Sequence, residues 1–192
     1  MAALYLVFEG DSITSGLGLT GWQPYPMQVA QRYTDRMVSI TNVATSGNTL
    51  ATIATQAAVE VDPCYDARKG NNITIIFAGT NDLALGSTGA SVYAALVSYG
   101  QARKAVGEKV VAVTCLPRTN AGIDAGFETQ RLIYNASIRS GWTSFSDAMA
   151  DLNTDSRLQN SNDGTYFQDQ IHPNAVGAGI LAGIVKAAID TI

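Results

Sequence analysis

The sequence predicts an α/β fold in which helices cover both faces of a parallel sheet. Apolar runs of strand length alternate along the chain with stretches whose apolar residues recur at helical spacing, as in successive strand–helix–strand units. Some of these runs are apolar at almost every position, which is typical of strands buried on both faces. The 192 residues, of which 46% are hydrophobic and 15% charged, favour one folded domain over residues 1–192.

Four apolar runs rich in valine and isoleucine predict the strands. They are LYLVF (4–8), MVSITNV (37–43), ITIIFA (73–78) and KVVAVTC (109–115). The first run and the last two are nearly continuous in apolar character, so we expect them in the middle of the sheet. A weaker strand candidate is WTSFSD at 142–147.

Helical spacing of apolar residues predicts four helices between and after these strands. Gly107 is placed to cap the C-terminus of the second helix. The four apolar stripes are Leu50, Ile53, Ala54, Ala57 and Ala58; Val92, Ala95, Leu96, Tyr99 and Val106; Leu132, Ile133 and Ala136; and Val176, Ile180, Leu181, Ile184, Val185 and Ile189.

Polar residues and glycines follow the predicted strands, at the edge of the sheet where α/β proteins bind ligands. Ser12 lies in GDS after the first strand, Gly47 in SGN after the second and Asn81 in GTND after the third. Asp169 and the single histidine, His172, lie in DQIHPN before the last helix. Turn formation, helix capping or a solvated histidine would explain each residue alone. Together they supply a serine nucleophile, its base, a carboxylate that orients the base, and oxyanion donors.

Four blocks, GDSIT, SGN, GTND and DQIHP, occur in this order between residues 10 and 173. In these blocks the chain resembles the SGNH family of hydrolases, also called GDSL-type esterases and lipases. The resemblance implies a flavodoxin-like, three-layer α/β/α sandwich with about five parallel strands. Because the chain has a single histidine and no cluster of cysteines and histidines, we expect no metal, and no cofactor is predicted. The resemblance implies Ser12 as nucleophile, His172 as base and Asp169 as its orienting acid. It also implies an oxyanion hole formed by the Ser12 and Gly47 N–H groups and the Asn81 side chain.

The expected substrate is a short-chain acyl ester, with O-acetyl groups on a carbohydrate favoured because the loops around the site are polar. A small molecule or a polysaccharide would carry the ester. A lipase, lysophospholipase or thioesterase of the same family is the alternative, and a catalytically silent binding module is the alternative outside enzymes. Trp22, Tyr25 and Tyr166 lie in loops near Ser12 and His172, where aromatic rings would either stack on a sugar or pack at the rim.

Composition argues against other partners. The net charge of −4 and the sequence pI of about 4.8 disfavour nucleic acid and anionic membrane surfaces. No apolar run approaches the roughly 18 residues of a membrane span. The N-terminus enters the first strand without a basic segment and a cleavable apolar one, so we expect a cytosolic chain or one already trimmed. Neither the oligomeric state nor the pairing of Cys64 with Cys115 follows from the sequence.

Three competing motifs fail on their context. GLGLTG (16–21) matches G-x-G-x-x-G, but two prolines follow it and no acidic residue ends the second strand to bind a ribose. We therefore expect residues 16–26 to form a flexible rim beside Ser12. DLNTDS (151–156) has serine where a calcium loop needs its sixth-position glycine. No G-x-S-x-G nucleophile elbow occurs.

Overall fold

The computed structural model describes residues 2–192 as a five-stranded parallel sheet between two layers of helices. The strands run in the order β2-β1-β3-β4-β5, the order of flavodoxin-like folds. This confirms the predicted fold class and the four stronger strands. Their bounds are Leu4–Gly10 (β1), Val38–Asn42 (β2), Asn72–Phe77 (β3), Lys109–Val113 (β4) and Ala148–Ala150 (β5).

Seven α-helices of the described chain flank the sheet. Helices α2 and α7 pack together on one face, and α3, α5 and α6 pack on the other. Gly107 caps α5 with a φ of 107°, as the sequence predicts. The helices are Ser12–Ser15 (α1), Tyr25–Gln31 (α2), Leu50–Glu60 (α3), Thr80–Ala84 (α4), Gly89–Val106 (α5), Phe127–Gly141 (α6) and Ala175–Ile189 (α7).

Two apolar clusters, one on each face, hold the three layers together. Leu6 and Phe8 of β1 belong to the cluster that contains Leu181 of α7, whereas Ile76 of β3 and Leu96 of α5 belong to the other. These five side chains are at most 1% exposed. Because burying one such side chain stabilises the fold by about 1.5–3 kcal/mol, the two clusters make the central strands a rigid support for the loops beyond them.

The fifth strand is not where the sequence predicts it. Residues 142–147 do not form a strand, since Trp142–Ser144 is a short 3-10 helix. The strand is Ala148–Ala150, which has little intrinsic β preference and pairs with β4 from Val111 to Val113. Asp147 starts this pairing, because its carboxylate accepts the N–H of Val110 at 2.9 Å. The partner strand therefore determines β5 more than its own residues do.

The predicted buried stripe of α6 is also wrong. Leu132 and Ile133 are 49% and 43% exposed, and the helix instead buries Arg131, Tyr134 and Asn135. Asn135 accepts the N–H of Cys115 at 2.8 Å and donates to its carbonyl at 2.8 Å, and Arg131 donates to the same carbonyl at 3.0 Å. The helix buries polar side chains because the backbone beyond β4 has no further strand to satisfy it.

Cys64 and Cys115 are both free thiols, and burial raises the pKa of Cys115 to about 12. Within residues 2–192 no helix combines the length and apolar character needed to cross a bilayer.

A buried acid lies between the sheet and α5. Glu9 of β1 is 2% exposed, and its Oε2 accepts the hydroxyl of Tyr99 at 2.5 Å. Its Oε1 is buried without a hydrogen-bond partner among the described residues. Burial raises the pKa of Glu9 to about 8, although the Tyr99 hydroxyl and the charge of Arg103 act in the opposite direction. Glu9 is therefore largely protonated in the folded chain at neutral pH.

Glu9→Gln is expected to make stability less dependent on pH. The folded pKa of about 8 exceeds the ordinary 4.5, so between these values the folded state binds more protons than the unfolded state. Stability of the parent protein should therefore decline as the pH rises from about 4.5 to about 8, and the variant should lose this component. The difference is a few kcal/mol at most, since one pKa unit is worth about 1.4 kcal/mol. Urea unfolding of both proteins at pH 5 and pH 8 measures it, and equal changes in the two proteins would contradict the assignment.

Candidate active site

The candidate nucleophile lies where β1 ends. Gly10 makes a sharp turn possible, because a Cβ at this position would collide with the carbonyl oxygen of Phe77 and the side chain of Thr14. Asp11 then caps α1, accepting the N–H of Ile13 at 2.9 Å. Ser12 is the first residue of that helix and is 8% exposed. Its backbone N–H belongs to the first turn, where N–H groups have no acceptor within the helix.

Asp11 contacts the backbone of the turn that carries Ser12. It is 1% exposed, and burial raises the pKa of its carboxyl to about 7, despite the hydrogen bond from Ile13 and the charge of Arg118. Its contact with the backbone of α1 orients the helix that carries Ser12.

The loop before α7 holds the histidine in place through its own backbone. Asp169 Oδ1 accepts the N–H groups of Ile171 at 2.7 Å and His172 at 2.6 Å. The N–H of Gln168 donates to the carbonyl of His172 at 2.9 Å, and Asn174 caps α7 directly afterwards. The histidine ring therefore projects from a closed turn anchored to a long helix.

Ser12, His172 and Asp169 form one hydrogen-bonded chain. His172 Nε2 lies 2.8 Å from Ser12 Oγ, and His172 Nδ1 lies 2.8 Å from Asp169 Oδ2. A carboxylate at Nδ1 favours the tautomer that carries its proton there, which leaves Nε2 free to accept the serine proton. Burial alone would raise the pKa of Asp169, but hydrogen bonds from the His172 ring and from the His172 and Ile171 N–H groups lower it. Asp169 is thus a stable anion beside the imidazole.

Gly47 and Asn81 lie at the same edge of the sheet. Gly47 is exposed and has a φ of +86°, a backbone conformation that side chains disfavour, although a Cβ there would meet nothing within 4 Å. One N–H of the Asn81 amide donates to the carbonyl of Asn48 at 3.0 Å, which turns the nitrogen in a defined direction and leaves its second N–H for a ligand. Both residues line a groove of about 300 Å³, together with Ala84, Leu85, Arg118, Asn120, Gly122 and Ile123.

Two residues that the sequence argument did not single out connect the blocks. The Asp82 carboxylate accepts the N–H of Leu50 at 3.1 Å, which joins GTND to the helix after SGN. Asn48 supplies the carbonyl that holds Asn81. Asp82 belongs to the GTND block and Asn48 to the SGN block. The only sequence feature that could have indicated their roles is that each lies next to a predicted site residue.

The three rim aromatics have different positions. Tyr25 lines the small space beside Ser12 and His172, but its predicted position in an exposed loop is wrong. It is 1% exposed in α2 and its ring packs edge-on against Phe8 at 5.6 Å, so it is not available to stack on a sugar. Pro26 in the first turn of α2 suits a helix start, so the last two residues of the rim predicted over 16–26 are helical instead. Trp22 is 65% exposed and Tyr166 is half-buried, so sugar stacking by these two stays a prediction.

A family model of the GDSL-like lipase/acylhydrolase family matches residues 8–180, which include all the site residues above. The chain belongs to this family of acyl hydrolases, which confirms the resemblance described under Sequence analysis. No curated protein sequence is significantly similar to the chain.

Solved structures show the same fold at low sequence identity. TesA superposes with a TM-score of 0.74 at 21% identity, covering 97% of this chain and 98% of that chain. A lipolytic G-D-S-L family member from Veillonella parvula gives a TM-score of 0.77 at 17% identity and covers both chains fully. A mutant of Axe2, an acetyl-xylooligosaccharide esterase from Geobacillus, gives 0.74 at 19% identity, covering 98% of this chain and 95% of that chain.

Proposed function

We propose that the chain is a serine esterase that removes short acyl groups, chiefly O-acetyl groups on carbohydrate, through an acyl-enzyme on Ser12. The observation that carries the proposal is the continuous chain from Ser12 Oγ through His172 to Asp169, with 2.8 Å at each of its two steps. Family membership supports ester hydrolysis, and the acetyl-xylooligosaccharide esterase among the similar folds is consistent with the carbohydrate.

In the proposed acylation, Ser12 Oγ attacks the ester carbonyl carbon while His172 Nε2 takes the hydroxyl proton. The carbonyl electrons move onto the oxygen, where the N–H groups of Ser12 and Gly47 and the free N–H of Asn81 stabilise the charge. Collapse of this intermediate breaks the bond to the alcohol, which leaves with the proton from His172. Water then attacks the acyl-enzyme, gives its proton to the same nitrogen, and releases the acid as Ser12 recovers its proton.

Two features of the site support a short acyl group. The small, partly open space beside Ser12 and His172 measures about 10 Å³, about the room of one water molecule. The larger groove on the Asn81 side mixes polar residues with glycines and a few apolar residues. A long acyl tail gains about 0.8 kcal/mol per methylene only where that methylene leaves water, and neither space offers a long apolar channel.

Acetyl esters are therefore expected to react much faster than esters of eight carbons or more. The measurement is kcat/KM for p-nitrophenyl esters of two to twelve carbons, beside acetate release from an acetylated polysaccharide, with Ser12→Ala as the control for background hydrolysis. An optimum at eight carbons or longer, with no acetate released from the polysaccharide, would contradict the proposal and favour a lipase or thioesterase.

A further inference from the structure

Arg118 lies in the groove that Gly47 and Asn81 also line, and the mechanism above does not use it. It follows β4 in the sequence CLPR. Its Nε donates to Asn120 Oδ1 at 2.8 Å, and its guanidinium carbon lies 5.8 Å from the centre of the Phe127 ring. The groove therefore contains a guanidinium that is held in place at one end.

This guanidinium has no carboxylate partner within residues 2–192. Six other arginines pair with an acid, and in one of these pairs Arg157 lies 2.6 Å from the Asp155 carboxylate. Arg118 is half-buried, and burial lowers the pKa of its guanidinium, although the charges of Asp11 and Asp169 act in the opposite direction. The six paired arginines are Arg36, Arg68, Arg103, Arg131, Arg139 and Arg157.

A partly desolvated guanidinium that has no carboxylate partner among the described residues can bind an anion. The bond from Nε to Asn120 leaves the two terminal nitrogens of Arg118 for a ligand, and their planar spacing matches the two oxygens of a carboxylate. Since the whole chain carries a net charge of −4, an anionic substrate gains little from its average field and needs a local cation.

We propose that Arg118 makes the site selective for esters that carry a carboxylate on the part of the molecule lying in this groove, such as an ester of a sugar acid or a hydroxy acid. The inference rests on the proposed esterase activity and adds the substrate class. Asn120 is a positioning residue, because its Oδ1 accepts the Nε–H of Arg118 and fixes the orientation of the planar guanidinium.

Matched pairs of esters test the selectivity. The first pair is 4-acetoxyphenylacetate and 4-acetoxyphenylacetamide, which differ in charge on the alcohol part. The second is the 4-nitrophenyl monoester of glutaric acid and that of glutaramic acid, which differ in charge on the acyl part. We expect the carboxylate member of at least one pair to have the higher kcat/KM. Arg118→Gln should lower that value by about 10- to 100-fold, mainly through KM, as for loss of hydrogen bonds to a charged group.

Two variants serve as controls. Arg118→Lys keeps the positive charge without the planar guanidinium, so it should retain part of the selectivity that Arg118→Gln loses. Arg68→Gln removes the same charge from an exposed residue that binds Asp66, next to the start of β3 at the opposite edge of the sheet, and should leave both pairs unchanged. Equal carboxylate-to-amide ratios in the parent protein and Arg118→Gln would overturn the inference. So would an equal loss of kcat for both members of each pair.

A binding measurement separates this inference from the esterase proposal. Calorimetric titration of Ser12→Ala with 4-acetoxyphenylacetate and with the glutarate monoester should show that at least one of them binds. The double variant Ser12→Ala/Arg118→Gln should not bind that ligand. If the protein hydrolyses no ester but shows this Arg118-dependent binding, the esterase proposal fails and the carboxylate site stands. If it hydrolyses esters while the two variants bind equally, the esterase proposal stands and the carboxylate site fails.

Discussion

Replacing Ser12 with alanine is expected to lower kcat for acetyl esters by about 10⁴- to 10⁶-fold, the range seen when a triad nucleophile is removed. The change deletes the oxygen that lies 2.8 Å from His172 Nε2 and leaves the rest of the described site in place. Hydrolysis of p-nitrophenyl acetate measures it. Ser140→Ala is the matched control, because this exposed serine at the end of α6 bonds only its own helix, through the carbonyl of Ser137. Full activity of Ser12→Ala would assign the reaction to another nucleophile, whereas a parent protein that hydrolyses no ester would favour the silent binding module.

The double variant Ser12→Ala/His172→Ala should be barely slower than either single variant. Members of one catalytic unit lose activity non-additively, since the base has no proton to take once the hydroxyl is gone. Losses in kcat that multiply would mean that the two residues act in separate steps, and the assignment of His172 as the base of Ser12 would then be wrong.

Asn81→Ala is expected to lower kcat by about 10²- to 10³-fold with little change in KM, which is the usual cost of one oxyanion donor. The amide is already oriented by its bond to the Asn48 carbonyl, so its second N–H needs no rearrangement when charge develops on the substrate. Steady-state kinetics with an acetyl ester separate the two constants.

Asn71→Ala is the control for this substitution. The amide of Asn71 also donates to a backbone carbonyl, that of Ala3 at 3.2 Å, but it lies just before β3 at the opposite edge of the sheet. It should leave kcat unchanged. An Asn81→Ala protein that mainly raised KM would assign Asn81 to substrate binding in the ground state instead.

The positions of the site residues could be predicted from the sequence because the topology of a parallel sheet brings them together. Parallel strands bring their carboxyl ends to one edge, so residues after β1 and β3 meet whatever the loops between them do. The pairing of Gly10 with Phe77 places the segments that carry Ser12 and Asn81 side by side. The order of the polar residues along the chain predicted that Ser12, His172 and Asp169 would meet, and the structure contains these contacts. Their catalytic roles stay predictions until the substitutions are made.

Burial was less predictable where a polar side chain competes with an apolar one. Leu132 and Ile133 have the spacing of a core stripe, yet Arg131 and Asn135 occupy the interior because they satisfy backbone groups of Cys115. Tyr25 follows a glycine-rich loop, yet the cluster around Phe8 buries it. Hydrophobic periodicity indicates which face of a segment tends to be buried. The neighbouring elements decide which backbone groups need a side chain as hydrogen-bond partner, and this can bury a polar face instead.

Local sequence patterns were enough to predict the parallel α/β fold, four of the five strands and the residues gathered at the carboxyl edge of the sheet. All of these depend on local patterns and on the general geometry of parallel sheets. Three features became clear only in the folded chain: β5 is Ala148–Ala150, Tyr25 is core, and Arg118 has no carboxylate partner among residues 2–192 in the groove beside Asn81. Strand pairing, burial and the presence of a nearby acid are relations between distant segments, and no single segment encodes them.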